Sequence, residues 1–97
     1  MRTEHNEFFR LLREYLTVYL PKQKDASEHT LKSYRETLNL FVTFLAECKE
    51  SRLFSITFDD VTQDSVGAFL EWLSDSRSCV ASTVNQRFSV IRAFLKY

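Results

Sequence analysis

Hydrophobic positions recur at helical spacing in four stretches of the chain, and each stretch predicts one helix. In the first, Phe9, Leu12, Leu16 and Tyr19 form a stripe that Phe8, Leu11, Tyr15 and Leu20 widen, because steps of three and four residues return to one helix face. With Asn6 as N-cap and Pro21 as stop, this helix is expected over Asn6 to Leu20. The second is expected from a Ser27 cap to about Glu50, with Leu31, Tyr34, Leu38, Phe41 and Leu45 as its core stripe and Phe44 beside it. The third follows a Thr62 cap, with Val61 and Val66 as a hydrophobic staple and Val66, Phe69, Leu70 and Leu73 buried. Gly67 lowers helix propensity there and is expected to mark a close helix approach. The fourth spans Ser82 to Tyr97, with Val84, Phe88, Ile91 and Leu95 on its buried face.

Between these stretches the pattern weakens. Pro21 to Ala26 is a polar connection, whose Lys22 and Lys24 read first as a solvated loop and second as phosphate contacts. Ser51 to Asp60 has no helical period; Phe54, Ile56 and Phe58 alternate with Ser55 and Thr57, an extended connection without a partner strand. The adjacent Asp59 and Asp60 read as a turn before a helix, since no further metal ligands stand at a suitable spacing. Gly and Pro occur once each, too few for a sheet of tight hairpins. The expected fold is an all-α bundle of four main helices forming a single domain over residues 1–97, with no significant sheet.

Charge is balanced overall but polarised along the chain. Residues 51–75 carry Arg52 against Asp59, Asp60, Asp64, Glu71 and Asp75, whereas residues 76–97 carry Arg77, Arg87, Arg92 and Lys96 with no carboxylate. Only the last segment invites a polyanion. Its helix also has a distinctive polar side: Ser82, Asn85, Gln86, Ser89, Arg92 and Lys96 supply amides, hydroxyls and cations and no acid. Such side chains meet base edges and phosphates in a DNA groove. A second group, Ser27, Thr30, Lys32 and Ser33, gathers at the start of the second helix, where exposed N–H groups favour an anion. For Ser27 and Thr30 alone, capping and starting that helix is the simpler role.

Catalytic chemistry is not visible. His5 and His29 have no zinc-ligand pattern around them, the single Gly excludes a glycine-rich phosphate loop, and Tyr15, Tyr19 and Tyr34 read as core or half-buried aromatics. No cofactor is expected. Cys48 and Cys79 read as free thiols of a reducing compartment, and no apolar run reaches membrane-spanning length, so a cytoplasmic protein without membrane contact is expected.

Three blocks together resemble the core-binding domain of tyrosine recombinases, the phage- and plasmid-type integrases. They are Ser27 to Tyr34 followed by Leu38, Phe41 and Leu45; Val61 to Val66 followed by Phe69, Leu70 and Leu73; and Ser82 to Phe94. The resemblance implies a SAM-like bundle of two crossed helix pairs. That bundle forms one jaw of a clamp on double-stranded DNA, and a C-terminal catalytic domain forms the other. Other protomers of a synaptic complex are further partners it suggests. By this resemblance the second and fourth helices face the major groove of a recombination half-site, through Thr30, Lys32 and Ser33 and through Ser82, Thr83 and Gln86, with Arg87 and Arg92 as flanking cations. The family's tyrosine nucleophile belongs to its catalytic domain, and none of this chain's tyrosines lies in such a motif. The chain is therefore expected to be a binding module, a fragment of an enzyme and not itself one.

Side-chain type assigns the roles. Gln86 can pair bidentately with adenine, Ser82 and Thr83 can touch bases or phosphate, and Lys32, Arg87 and Arg92 set affinity through phosphates. For Arg87, a salt bridge to the acidic third helix is an equal competitor. Glu36 opposes deep groove contact by the middle of the second helix, and the neutral net charge implies weak binding by this domain alone. The alternative function is a protein–protein module that docks through the aromatic face of the first helix, around Phe8 and Phe9.

Overall fold

The computed structural model describes residues 3–50 and 56–97. Its helices are α1 (Thr3–Glu14), prolonged by a π-helical segment (Tyr15–Gln23), then α2 (Glu28–Lys49), α3 (Gln63–Asp75) and α4 (Ala81–Lys96). Among the described residues there is no strand, and the fold is all-α as expected.

Two starts follow from local hydrogen bonding. Ser27 Oγ accepts the Thr30 N–H at 3.2 Å, which satisfies one of the donors that the first turn of α2 leaves without a helical partner. Thr62 and Ser65 form a reciprocal capping box at α3: Thr62 Oγ1 accepts from Ser65 N–H at 3.0 Å and Ser65 Oγ accepts from Thr62 N–H at 2.8 Å. At the other end of α2, Glu50 takes a left-handed conformation (φ 55°, ψ 46°) and its N–H returns to Ala46 and Glu47 carbonyls.

The first helix departs from the expectation in three ways. It begins at Thr3, before the proposed Asn6 cap, and it runs through Pro21 to Gln23. Its buried face also differs: of the expected stripe only Leu12 is buried, together with Phe8, Tyr15 and Leu20 from its flank, while Phe9, Leu16 and Tyr19 are only partly covered. The run through Pro21 has a physical cause. A proline has no N–H to give and its ring collides with the carbonyl four residues earlier in an α-helix. Widening the turn to bonds five residues long, as in Lys24 N–H to the Tyr19 carbonyl at 3.0 Å, accommodates the ring. The step of five from Tyr15 to Leu20 then stays on the buried face.

One core joins all four helices. The π segment packs on α2, α2 packs on both α3 and α4, and α3 packs on α4. Phe69 of α3 lies between Phe41 and Phe44 of α2 at ring separations of 5.1 and 5.6 Å. Phe94 of α4 meets Phe8 and Tyr15 at 6.1 and 5.2 Å. Within α4 the core side is Val90, Ile91 and Phe94; Val84 and Phe88 are partly covered and Leu95 is 44% exposed, contrary to the expected stripe. Gly67 is exposed, with nothing within 4 Å of where a Cβ would stand, so it marks no close helix approach.

Of the expected extended connection, residues 51–55 lie outside the described residues. Ile56 is fully buried, and Phe58–Asp60 form a 3-10 turn instead of extended chain. Asp60 explains its own acidity there: its carboxylate accepts the Thr57 N–H at 2.8 Å and pairs with Lys49 at 3.1 Å.

Candidate nucleic-acid interface

The side chains expected to meet DNA sit on α2 and α4, and the fold joins the two helices at consecutive positions. Gln86 Nε2 donates to Ser33 Oγ at 3.2 Å, and Arg87 Nη1 donates to Thr37 Oγ1 at 2.7 Å. Residues 86 and 87 of one helix thus engage residues 33 and 37 of the other, one turn apart. Thr30 and Lys32 lie within a turn of Ser33, as Ser82 and Thr83 do of Gln86. Lys32, Ser82 and Gln86 are exposed, whereas Thr30, Ser33, Thr83 and Arg87 are half-buried.

Gln86 is oriented by its partner. An amide nitrogen carries two hydrogens, and Ser33 takes one of them. The carbonyl oxygen and the second N–H stay available, the pair needed to address an adenine edge. Thr30 receives a hydrogen bond from Ser27 Oγ at 3.1 Å, so capping and surface presentation coexist there.

The flanking cations separate. Arg87 makes no ion pair with α3 among the described residues; it reaches α2, and its Nε is buried without an acceptor. Thr37, fully buried, is the residue that sequence reading missed. Its signal was a hydroxyl standing within the Tyr34–Leu38–Phe41 stripe. Thr37→Val keeps shape but removes the acceptor, leaving a guanidinium donor without a partner in the seam, and is expected to cost about 1–3 kcal/mol in urea unfolding. A change within error would mean that Arg87 turns outward in solution. Arg92 lies elsewhere, over the Phe88 ring at 5.5 Å and beside an apolar groove against α3 lined by Val61, Val66, Leu70 and Leu95. Glu36 and Asn39 flank a shallow hollow with Arg77 and Arg87, the acidic interruption expected along α2.

A second feature escaped the sequence. All four tyrosines of the chain meet at one place: Tyr15 contacts Tyr19, Tyr34 and Tyr97 at 5.5, 6.4 and 5.1 Å, and Tyr19 meets Tyr97 at 4.6 Å. They line a cavity of about 540 Å³ together with Leu20, Lys24, Thr30 and Lys96. The π turn is what carries Tyr19 and Lys24 to it. Tyr97 donates its hydroxyl to the Glu14 carboxylate, which raises its pKa above the ordinary phenol value. Burial pushes Tyr15 up to about 12. Because folding favours its neutral form, stability is fully present below the unfolded value near 10 and falls as pH rises from there toward 12. An ultraviolet titration of the native chain is expected to show phenol ionisation extending toward pH 12, with unfolding accompanying the last of it; ionisation complete near pH 10 would contradict the burial of Tyr15.

The sequence match agrees with the architecture: residues 12–97 fit the family described as "Phage integrase, N-terminal SAM-like domain". The chain belongs to this family. Among curated relatives, it is 30% identical over 95 residues to a protein named integrase/recombinase y4rD of Sinorhizobium fredii, covering 98% of this chain and 34% of that one. A second such protein of the same organism, y4rC, is 26% identical over 95 residues, covering 98% and 29%. Tyrosine recombinase XerC of Herpetosiphon aurantiacus is 29% identical over 84 residues, covering 87% and 26%. The chain therefore spans about a third or less of the length of these relatives. No solved structure matches. Among the described residues, no helix of this integrase-type domain is long and apolar enough to cross a membrane, and no group of His, Cys, Asp and Glu could hold a metal ion.

Proposed function

We propose that the chain is the DNA-gripping module of a tyrosine recombinase, set with α2 and α4 against the major groove of a recombination half-site. The observation that carries this reading is the Gln86–Ser33 hydrogen bond, which makes one surface of the two helices the family resemblance singles out. Gln86 reads a base edge, Ser82 and Thr83 touch base or sugar-phosphate, and Thr30, Ser33 and Lys32 fix the position of α2. Strand cleavage and rejoining would belong to a catalytic domain, with further protomers as partners in a synaptic complex, and the setting would be the cytoplasm. Arg87 serves this function from beneath, by holding the two helices in register through Thr37. Arg92, on the α3 flank, meets phosphates of the outer groove wall.

The competing protein-docking reading draws on the aromatic face of the first helix. Phe8 is 1% exposed and packs on Phe58 and Phe94, which withdraws it from a partner, while Phe9 and Leu16 stay partly open beside a groove that also reaches Arg10, Arg13 and Arg35. The deciding experiment is fluorescence anisotropy of short duplexes across a salt series, with variants at Lys32 and Gln86. Absence of binding at low ionic strength overturns the proposal.

A further inference from the structure

Four tyrosines and two lysines around one cavity are more than a core requires. Tyr15 is the floor, 2% exposed, and its ring stacks on Tyr19 with 17° between planes. Tyr19 and Tyr34 are half-buried and Tyr97 is 41% exposed, so aromatic surface remains open to the cavity. The hydroxyls of Tyr15, Tyr19 and Tyr34 make no hydrogen bond among the described residues, and Lys24 and Lys96, both exposed, make no ion pair there. The cavity also reaches Thr30, a residue of the proposed DNA surface.

These groups define a ligand. Tyrosine faces stack on a flat aromatic ring of any identity, phenol hydroxyls give and accept hydrogen bonds at its edge, and ammonium groups hold an anion beside it. A nucleotide has all three counterparts. A volume of about 540 Å³ lies within the range of about 300–1,000 Å³ typical of small-molecule sites, ample for one base. A base paired inside a duplex cannot present its face, so it must first leave the stack. We propose that this cavity receives one unstacked nucleobase of the bound DNA, held against Tyr19 and Tyr97, with its phosphate at Lys24 and Lys96.

The inference rests on the DNA-binding reading and narrows it to a substrate feature: a strand with a base turned out of the helix, as at a bulge. The test uses the 97-residue chain and three duplexes of one sequence: fully matched, with a one-nucleotide bulge of 2-aminopurine, and with an abasic bulge. The expected result is binding of the base-bearing bulge about tenfold tighter than the other two, with quenching of 2-aminopurine on stacking. Lys24→Ala and Lys96→Ala, which change exposed side chains, are expected to remove most of that gain with helical circular dichroism unchanged. Tyr19→Leu, which keeps apolar bulk, should abolish the quenching.

Matched duplex bound as well as the bulge, with 2-aminopurine unquenched, overturns the cavity proposal and leaves the groove reading standing. A gain equal for the abasic bulge also overturns it, because bending and not the base would then be recognised. No binding to any duplex overturns both. Quenched, lysine-dependent binding of the bulge without binding of the matched duplex supports the cavity and rejects the groove.

Discussion

Phe94→Ala is expected to destabilise the fold by about 3–5 kcal/mol, whereas Leu95→Ala, one residue on, is expected to cost under about 1 kcal/mol. Phe94 is 4% exposed and its ring reaches Phe8 and Phe58 at 6.1 and 6.4 Å as well as Tyr15. Truncation would leave a ring-sized hole where the first helix, the 3-10 turn and α4 converge. Leu95 is 44% exposed at the edge of the groove against α3, and its loss opens no closed cavity. In a domain of this size each kcal/mol moves the melting temperature by about 4–8 °C, so thermal unfolding separates the two variants clearly. Should Leu95→Ala prove the costlier, the register drawn from the Val84–Phe88–Ile91–Leu95 spacing would hold in solution instead.

The larger functional effect concerns salt. Each phosphate neutralised by a cation contributes about −0.9 to the slope of log affinity against log salt. If Lys32 and two further cations contact phosphates, raising salt from about 50 to about 200 mM weakens binding about 40-fold. Lys32→Ala is then expected to reduce the slope by about 1 and to weaken all sequences alike. Gln86→Ala should behave differently: a loss of about 1–3 kcal/mol on a preferred sequence, little on others, and no change in slope. Anisotropy titrations on preferred and scrambled duplexes measure both. A Gln86 effect equal on every sequence would reassign that side chain from base reading to seam packing with Ser33.

The two outcomes bear on different parts of the sequence, and these were not equally legible. The caps of α2 and α3 were plain, since Ser27 and Thr62 each accept from an N–H three residues on, whereas the expected Asn6 cap was not one. The polar side of α4 was plain too: Ser82, Asn85, Gln86, Ser89, Arg92 and Lys96 are all exposed. The core side was ambiguous because α4 carries apolar residues on two adjoining stripes. Packing on α2 and α3 together turns the helix so that Val90 and Phe94 go inward and Leu95 faces the groove. Pro21 misled for a related reason, because the rule that proline ends a helix assumes bonds four residues long. Neither the Thr37–Arg87 bond nor the tyrosine cavity could be read locally, as their members are 50 and up to 82 residues apart.

The double tie between α2 and α4 has a kinetic consequence. If α2 and α4 grip DNA as proposed, Ser33 and Thr37 already fix Gln86 and Arg87, so the two helices would not need to be ordered against each other on binding, and encounter would be governed by the exposed cations. On that proposal, changes at Lys32 are expected to act on how often a complex forms. Changes at Ser33 or Thr37 would then act on how long it lasts, since a loosened seam would let one helix leave the groove while the other still holds.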